Sequence, residues 1–167
     1  MKRLIIIAAL AISVTGCATR RAPPPPLLAR PTFPIAEYEA LPKTGSGAVT
    51  GQAFLKTRGG DVKTGAGNKI YLYPVTSYLL WDEANSRSKK TSIDSRFYEF
   101  RRETIADASG RFTFKNVPNG DYKLTGEVTW QVPQVTKYSS YMSTQGGWIT
   151  KMITVANGET TEIMLTE

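Results

Sequence analysis

The stretch Asp107-Ala-Ser-Gly-Arg-Phe-Thr-Phe-Lys-Asn-Val-Pro-Asn-Gly-Asp-Tyr-Lys-Leu124 decides the fold. Asp at the first position and Gly at the last position of Asp107-Ala108-Ser109-Gly110 is type I turn chemistry. Pro118-Asn119-Gly120-Asp121 is a second tight turn, with Gly120 suited to a positive φ. Between the turns, Arg111 to Val117 alternates with period two, so Phe112 and Phe114 share one face. The reading is strand, turn, strand, with both phenylalanines and then Tyr122 and Leu124 entering one core.

Working outward, the same pattern recurs. Gly47 to Leu55 reads as a strand with Val49, Ala53 and Leu55 inward. In Lys69 to Val75, Ile70, Leu72 and Pro74 face one way, and Tyr71 and Tyr73 the other. Glu103 to Asp107, Tyr122 to Trp130, Trp148 to Val155 and Thr160 to Thr166 complete about seven strands. Arg58-Gly59-Gly60-Asp61, Gly65-Ala66-Gly67-Asn68 and Asn157-Gly158 punctuate them. Helical periodicity is scarce, so the expectation is an all-β domain over residues 46–167.

The quoted stretch resembles the signature of carboxypeptidase-regulatory-like domains, a group of transthyretin-like and starch-binding-like sandwiches. Gly47-Ala-Val-Thr-Gly51 and Ile70-Tyr-Leu-Tyr-Pro74 are similar to that group's first two strands, and Val155-Ala-Asn-Gly-Glu159 with Ile163-Met-Leu165 to its end. The resemblance implies a single transthyretin-like (prealbumin-like, Greek-key) β-sandwich that is non-catalytic. Such modules serve many roles, so the fold does not name a ligand.

The N-terminus reads as an address. Lys2 and Arg3 precede an uncharged apolar run, Leu4 to Val14, followed by small residues. This describes a secretory signal over residues 1–16, since the run falls well short of the roughly 20 residues of a membrane-spanning helix. Val14-Thr15-Gly16-Cys17 resembles the lipobox of bacterial lipoproteins. That implies cleavage before Cys17, its lipidation (palmitate among the chains), and anchoring to the outer membrane, which Ala18 favours. Cys17 is the single cysteine, so the acylated chain has no thiol for a disulfide, a nucleophile or a metal.

Residues 17–45 form the next segment. Pro23 to Pro26, Pro31, Pro34 and Pro42 favour an extended polyproline spacer between anchor and domain. A proline-rich ligand for a partner's aromatic groove is the other reading of this stretch. Arg20 and Arg21 lie where anionic head groups would be.

Chemistry is harder to find. The chain has no histidine, which removes the commonest general base and metal ligand. The expectation is a protein that is not an enzyme, with no cofactor and no metal site. Net charge is +7, without a stripe of Lys and Arg, which suits anionic envelope surfaces better than nucleic acid. Residues 76–102 are an insertion beyond a minimal sandwich, with Tyr78, Trp81, Tyr98 and Arg101 as candidate contacts and a short helix expected around Trp81 to Ser86. Gln131 to Gly147 reads as a second irregular stretch, contributing Tyr138 and Tyr141 between Trp130 and Trp148. These aromatics either pack the insertion onto the sandwich or form a contact surface for an envelope polysaccharide or protein. The expected function is a binding or scaffold module of the cell envelope. A carbohydrate-binding module and an accessory subunit of a secretion or surface-assembly machine are the alternatives.

Overall fold

A computed structural model describes residues 27–87 and 92–167. The signal segment 1–16, Cys17, Ala18, Arg20, Arg21 and Pro23 to Pro26 lie outside the described residues, as do Lys89 and Lys90 of the insertion.

Two sheets face each other. In the first, β1 (Gly47–Lys56) pairs antiparallel with β5 (Arg111–Val117), parallel with β8 (Thr160–Leu165), and at its far end antiparallel with the short β2 (Val62–Thr64). The second sheet has the order β4 (Arg102–Ile105), β3 (Lys69–Pro74), β6 (Gly120–Val135), β7 (Ser140–Val155), all antiparallel. The domain is therefore the expected β-sandwich. It has eight strands among the described residues rather than seven, the addition being the three-residue β2.

The core between the sheets follows the alternation. Phe112 and Phe114 are buried, with Val49, Ile70, Leu72, Leu124, Val128 and Leu165 fully enclosed around them. The first turn works as read, and at residues 118–121 the chain instead bends and crosses from β5 of the first sheet to β6 of the second. Asp107 Oδ1 accepts the amides of Ser109 (2.8 Å) and Arg111 (2.9 Å), and Gly110 and Gly120 take φ of 76° and 143°.

Three expectations need correction. Residues 30–45 are not all spacer. Pro34 stands at the N-cap of α1 (Ile35–Glu39), where a missing N–H costs nothing, and Pro42 lies just past its end. The proline-free interval between them carries Tyr38, which is buried with Phe33. Second, the helix of the insertion is α2 (Ser77–Ala84), starting four residues earlier than expected because Thr76 caps it, its hydroxyl accepting from Leu79 N at 3.3 Å. A 3₁₀ helix, Ser95–Phe100, follows. Third, residues 131–147 are regular. β6 and β7 pair without a break from Gly120↔Val155 to Val135↔Ser140.

Candidate functional site

The outer face of the second sheet is read from the register. Tyr71 stands opposite Thr125 of β6 and Glu103 of β4, and Thr125 opposite Thr150 of β7. One step along, Lys69 pairs with Ile105 and Glu127 with Trp148. One step the other way, Tyr73 pairs with Lys123, and Lys123 with Met152.

The insertion covers one end of this face. Phe97 of the 3₁₀ helix stacks flat on Tyr73, with centroids 5.0 Å apart and planes at 10°. Phe33, Tyr38, Tyr78 and Leu79 complete a second apolar cluster outside the sandwich. Tyr38 Oη and Thr76 Oγ1 share a buried hydrogen bond of 2.7 Å, and burial pushes the Tyr38 hydroxyl up to about 12. Glu37 accepts from Ser77 N (2.8 Å) and from its hydroxyl, tying α1 to α2. The Asp94 carboxylate accepts from Arg96 Nε (3.0 Å) and Nη2 (2.8 Å), and these bonds hold it down at about 2.

The other end of the face is open. Trp148 is 59% exposed, and its ring stacks on Tyr71 at 6.2 Å with planes 29° apart. On the β4 side of Tyr71 the Arg101 guanidinium lies 4.4 Å from the ring centroid and 5.3 Å from that of exposed Tyr98. Arg101 also pairs with Glu103 (3.6 Å), and Lys69 Nζ donates to Glu103 at 3.0 Å. Thr125 lies between Tyr71 and Thr150 in the register and is buried, donating its hydroxyl to Ile149 O at 3.1 Å. The result is a shelf of planar groups, Trp148, Tyr71, Arg101 and Tyr98, rimmed by Glu127, Lys69, Glu103 and Thr150. Such a shelf offers an apolar plane with hydrogen-bonding groups at its margin.

Of the residues nominated from sequence, the fold gathers Tyr98, Arg101 and Trp148. Tyr78 is a correction: it is 1% exposed in the second cluster and presents nothing to a partner. Trp81 is half-buried on α2, with the Arg30 guanidinium 5.5 Å from its ring. Trp130 packs partly against the main core. Tyr138 and Tyr141 are exposed, but on a distant extension of β6 and β7. Tyr71, the centre of the shelf, was not nominated. Its outward position was legible from the alternation, but nothing local shows that Phe97 caps Tyr73 and leaves Tyr71 half-buried at the edge of the cluster.

A cavity of about 460 Å³ lies at the capped end, between Tyr38, Leu41, Pro74, Phe100, Arg102 and Asp121. Arg102 closes one side by donating to the Lys43 carbonyl.

The chain is similar to a crystal structure of PA1324 from Pseudomonas aeruginosa, a candidate carbohydrate-binding protein by its description. Identity is 30%, the match covers 82% of this chain and 99% of that one, and the TM-score is 0.67. GBS52, the minor pilin of Streptococcus agalactiae, is similar at 16% identity over 74% of this chain and 44% of that one, with a TM-score of 0.40. Catechol 1,2-dioxygenase from Pseudomonas arvilla C-1 follows at 12% identity over 84% and 57%, with a TM-score of 0.25, and neither of these two likenesses carries a conclusion. No protein-family model and no curated protein sequence matches the chain.

Proposed function

This chain belongs to the same family as PA1324 of Pseudomonas aeruginosa, and from that premise we propose that it is a non-catalytic carbohydrate-binding module of the bacterial envelope. The observation that carries the reading is the exposed Trp148 ring stacked on half-buried Tyr71. A sugar ring has an apolar C–H face and a hydroxyl rim. An aromatic shelf bordered by carboxylates, a lysine and a threonine matches both. The described relative, a candidate carbohydrate binder, supports the same class. The stretch at residues 107–124 resembles the signature of carboxypeptidase-regulatory-like modules, a resemblance that implies a non-catalytic role.

The module is held at the outer membrane through lipid on Cys17. This part of the reading rests on the Val14-Thr15-Gly16-Cys17 ending and the charged and apolar segments before it. Cys17→Ser is expected to abolish palmitate labelling and to release the protein from the outer-membrane fraction. Labelled palmitate on the Cys17→Ser protein would refute it.

A panel of envelope glycans and neutral glucans, screened by isothermal titration calorimetry, tests the carbohydrate reading. Trp148→Ala and Tyr71→Ala are each expected to weaken the ligand found by tenfold or more, corresponding to about 1.4 kcal/mol. Trp81→Ala is expected to leave it unchanged. Binding that survives both shelf substitutions would overturn the site.

A further inference from the structure

The shelf does not use the most unusual extension of the fold. β3 accompanies β6 only as far as Gly126, so from Val128 to Val135 β6 pairs with β7 alone. Val128 is still part of the main core and Trp130 packs on it, so the five pairs from Gln131 to Val135 project beyond, about 16 Å at roughly 3.3 Å per residue. A bare two-stranded ribbon is marginal by itself. Its base is secured by Trp130, which packs on the main core and lies where a side chain at Gly146 would be, 2.8 Å from a Cβ placed there. Gly146 has φ +93°, which a residue with a Cβ adopts only with strain.

Along the arm the chemistry changes. The stem is polar: Gln131 Nε2 donates to Thr144 Oγ1 (2.9 Å) and Gln145 Nε2 to Ser143 Oγ (2.9 Å). The end is apolar and bare: Val135 is 82% exposed and Tyr138 89%, with Tyr141 and Met142 also exposed beside them. The connecting turn is well made. Thr136 N donates to Ser139 O at 2.8 Å, and Thr136 Oγ1 accepts from Ser139 N at 3.0 Å. Lys137 lies over the Tyr138 ring at 5.5 Å. No Asp or Glu occurs from Val128 to Gly158, while Lys137 and Lys151 do.

We propose that the tip of this arm, Val135 with Tyr138, Tyr141 and Met142, inserts into the head-group region of an anionic phospholipid membrane. The polarity argues for this occupant. Amphipathic tyrosines favour the membrane–water boundary, a lysine beside them reaches phosphates, and an acid-free arm meets no repulsion from an anionic surface. The exposed large apolar side chains of the arm are confined to the turn and the last three residue pairs, matching the 5–10 Å depth of interfacial burial. A second copy paired along the β7 edge would instead favour apolar groups along the whole strand. The proposal is independent of the carbohydrate reading and uses none of the shelf residues.

The test uses the full chain with Cys17→Ser, so that a cysteine introduced by Ser139→Cys is unique and takes an environment-sensitive fluorophore. Vesicles of 30% phosphatidylglycerol in phosphatidylcholine are expected to shift its emission to the blue. The same label introduced by Thr144→Cys on the stem is expected not to shift. Val135→Ser with Tyr138→Ser is expected to raise the vesicle concentration for half-maximal shift by tenfold or more. The substituted side chains are exposed, so circular dichroism is expected to be unchanged. No shift at the tip, an equal shift at the stem, or a shift that appears without vesicles as protein concentration rises, which would mean a second copy covers the tip, each overturns the proposal.

Discussion

The molecule has two apolar clusters built on different rules. The core between the sheets is mostly aliphatic and comes from strands whose neighbours alternate in and out. The cluster on the outside of the second sheet is mostly aromatic and collects Phe33 and Tyr38 from the N-terminal segment, Tyr73 from β3, and Tyr78, Leu79 and Phe97 from the insertion. In the first, one periodic pattern fixes every partner. In the second, two segments outside the sandwich meet one strand of the sheet through large flat rings. The difference teaches where a surface site can form: the outer cluster covers one end of the sheet face and reaches half-buried Tyr71 at its edge, and the uncovered end keeps Trp148 exposed.

If the cores differ in this way, damage to them differs too. The largest effect is expected at Phe114, 4% exposed between the sheets. Phe114→Ala is expected to cost about 3–5 kcal/mol in urea-unfolding experiments, as a single loss of the whole cooperative transition. A midpoint equal to that of the parent would refute the shared core.

Phe97→Ala tests the outer cluster. Its ring stacks on Tyr73 and contacts Tyr38 and Tyr78. The expected loss is about 1–3 kcal/mol, expressed as local opening: amide exchange rises in residues 76–102 while β1, β5 and β6 stay protected. Equal loss of protection in both sheets would show that the two clusters form one cooperative unit.

Alkaline titration probes the outer cluster without mutation. The Tyr38 hydroxyl is raised from 10.0 to about 12 by burial. A raised acid binds its proton more tightly in the folded state, so its contribution to stability is complete below pH 10 and is lost as pH rises from 10 to about 12. The outer cluster is expected to loosen in that window, with Tyr38→Phe reducing the dependence and Tyr73, also raised by burial, keeping a remainder; near-ultraviolet absorbance and amide exchange report it. Loosening undiminished in the Tyr38→Phe protein would assign the effect to another group.

The smallest effect on stability is expected at the shelf. Trp148→Ala, on an exposed face, is expected to shift the unfolding midpoint by no more than about 0.5 kcal/mol. A loss comparable with that at Phe97 would mean that Trp148 is a packing residue, which would weaken the carbohydrate reading more than a negative glycan screen.

What the sequence determined by itself was what local chemistry controls. Asp107 and Gly110 define a turn, Pro118 and Gly120 a bend between the sheets, and alternation along β5 and β6 puts Phe112, Phe114 and Leu124 inside; the sheet register then follows, because a slip by one residue would turn every strand inside out. What only the tertiary structure decided was which outward aromatics remain outward. Tyr71 and Tyr73 are two residues apart on one strand and point the same way, yet Phe97, more than twenty residues later, covers one and not the other. Tyr78 read as a contact residue and is buried, because its partners Phe33 and Phe97 come from opposite sides of it in the chain. Residues 131–147 read as irregular because an arm solvated on both faces carries no alternation to detect. Its order comes from cross-strand hydrogen bonds between β6 and β7. Each of these outcomes depends on burial by residues distant in sequence or on pairing between strands, and neither leaves a period in the chain itself.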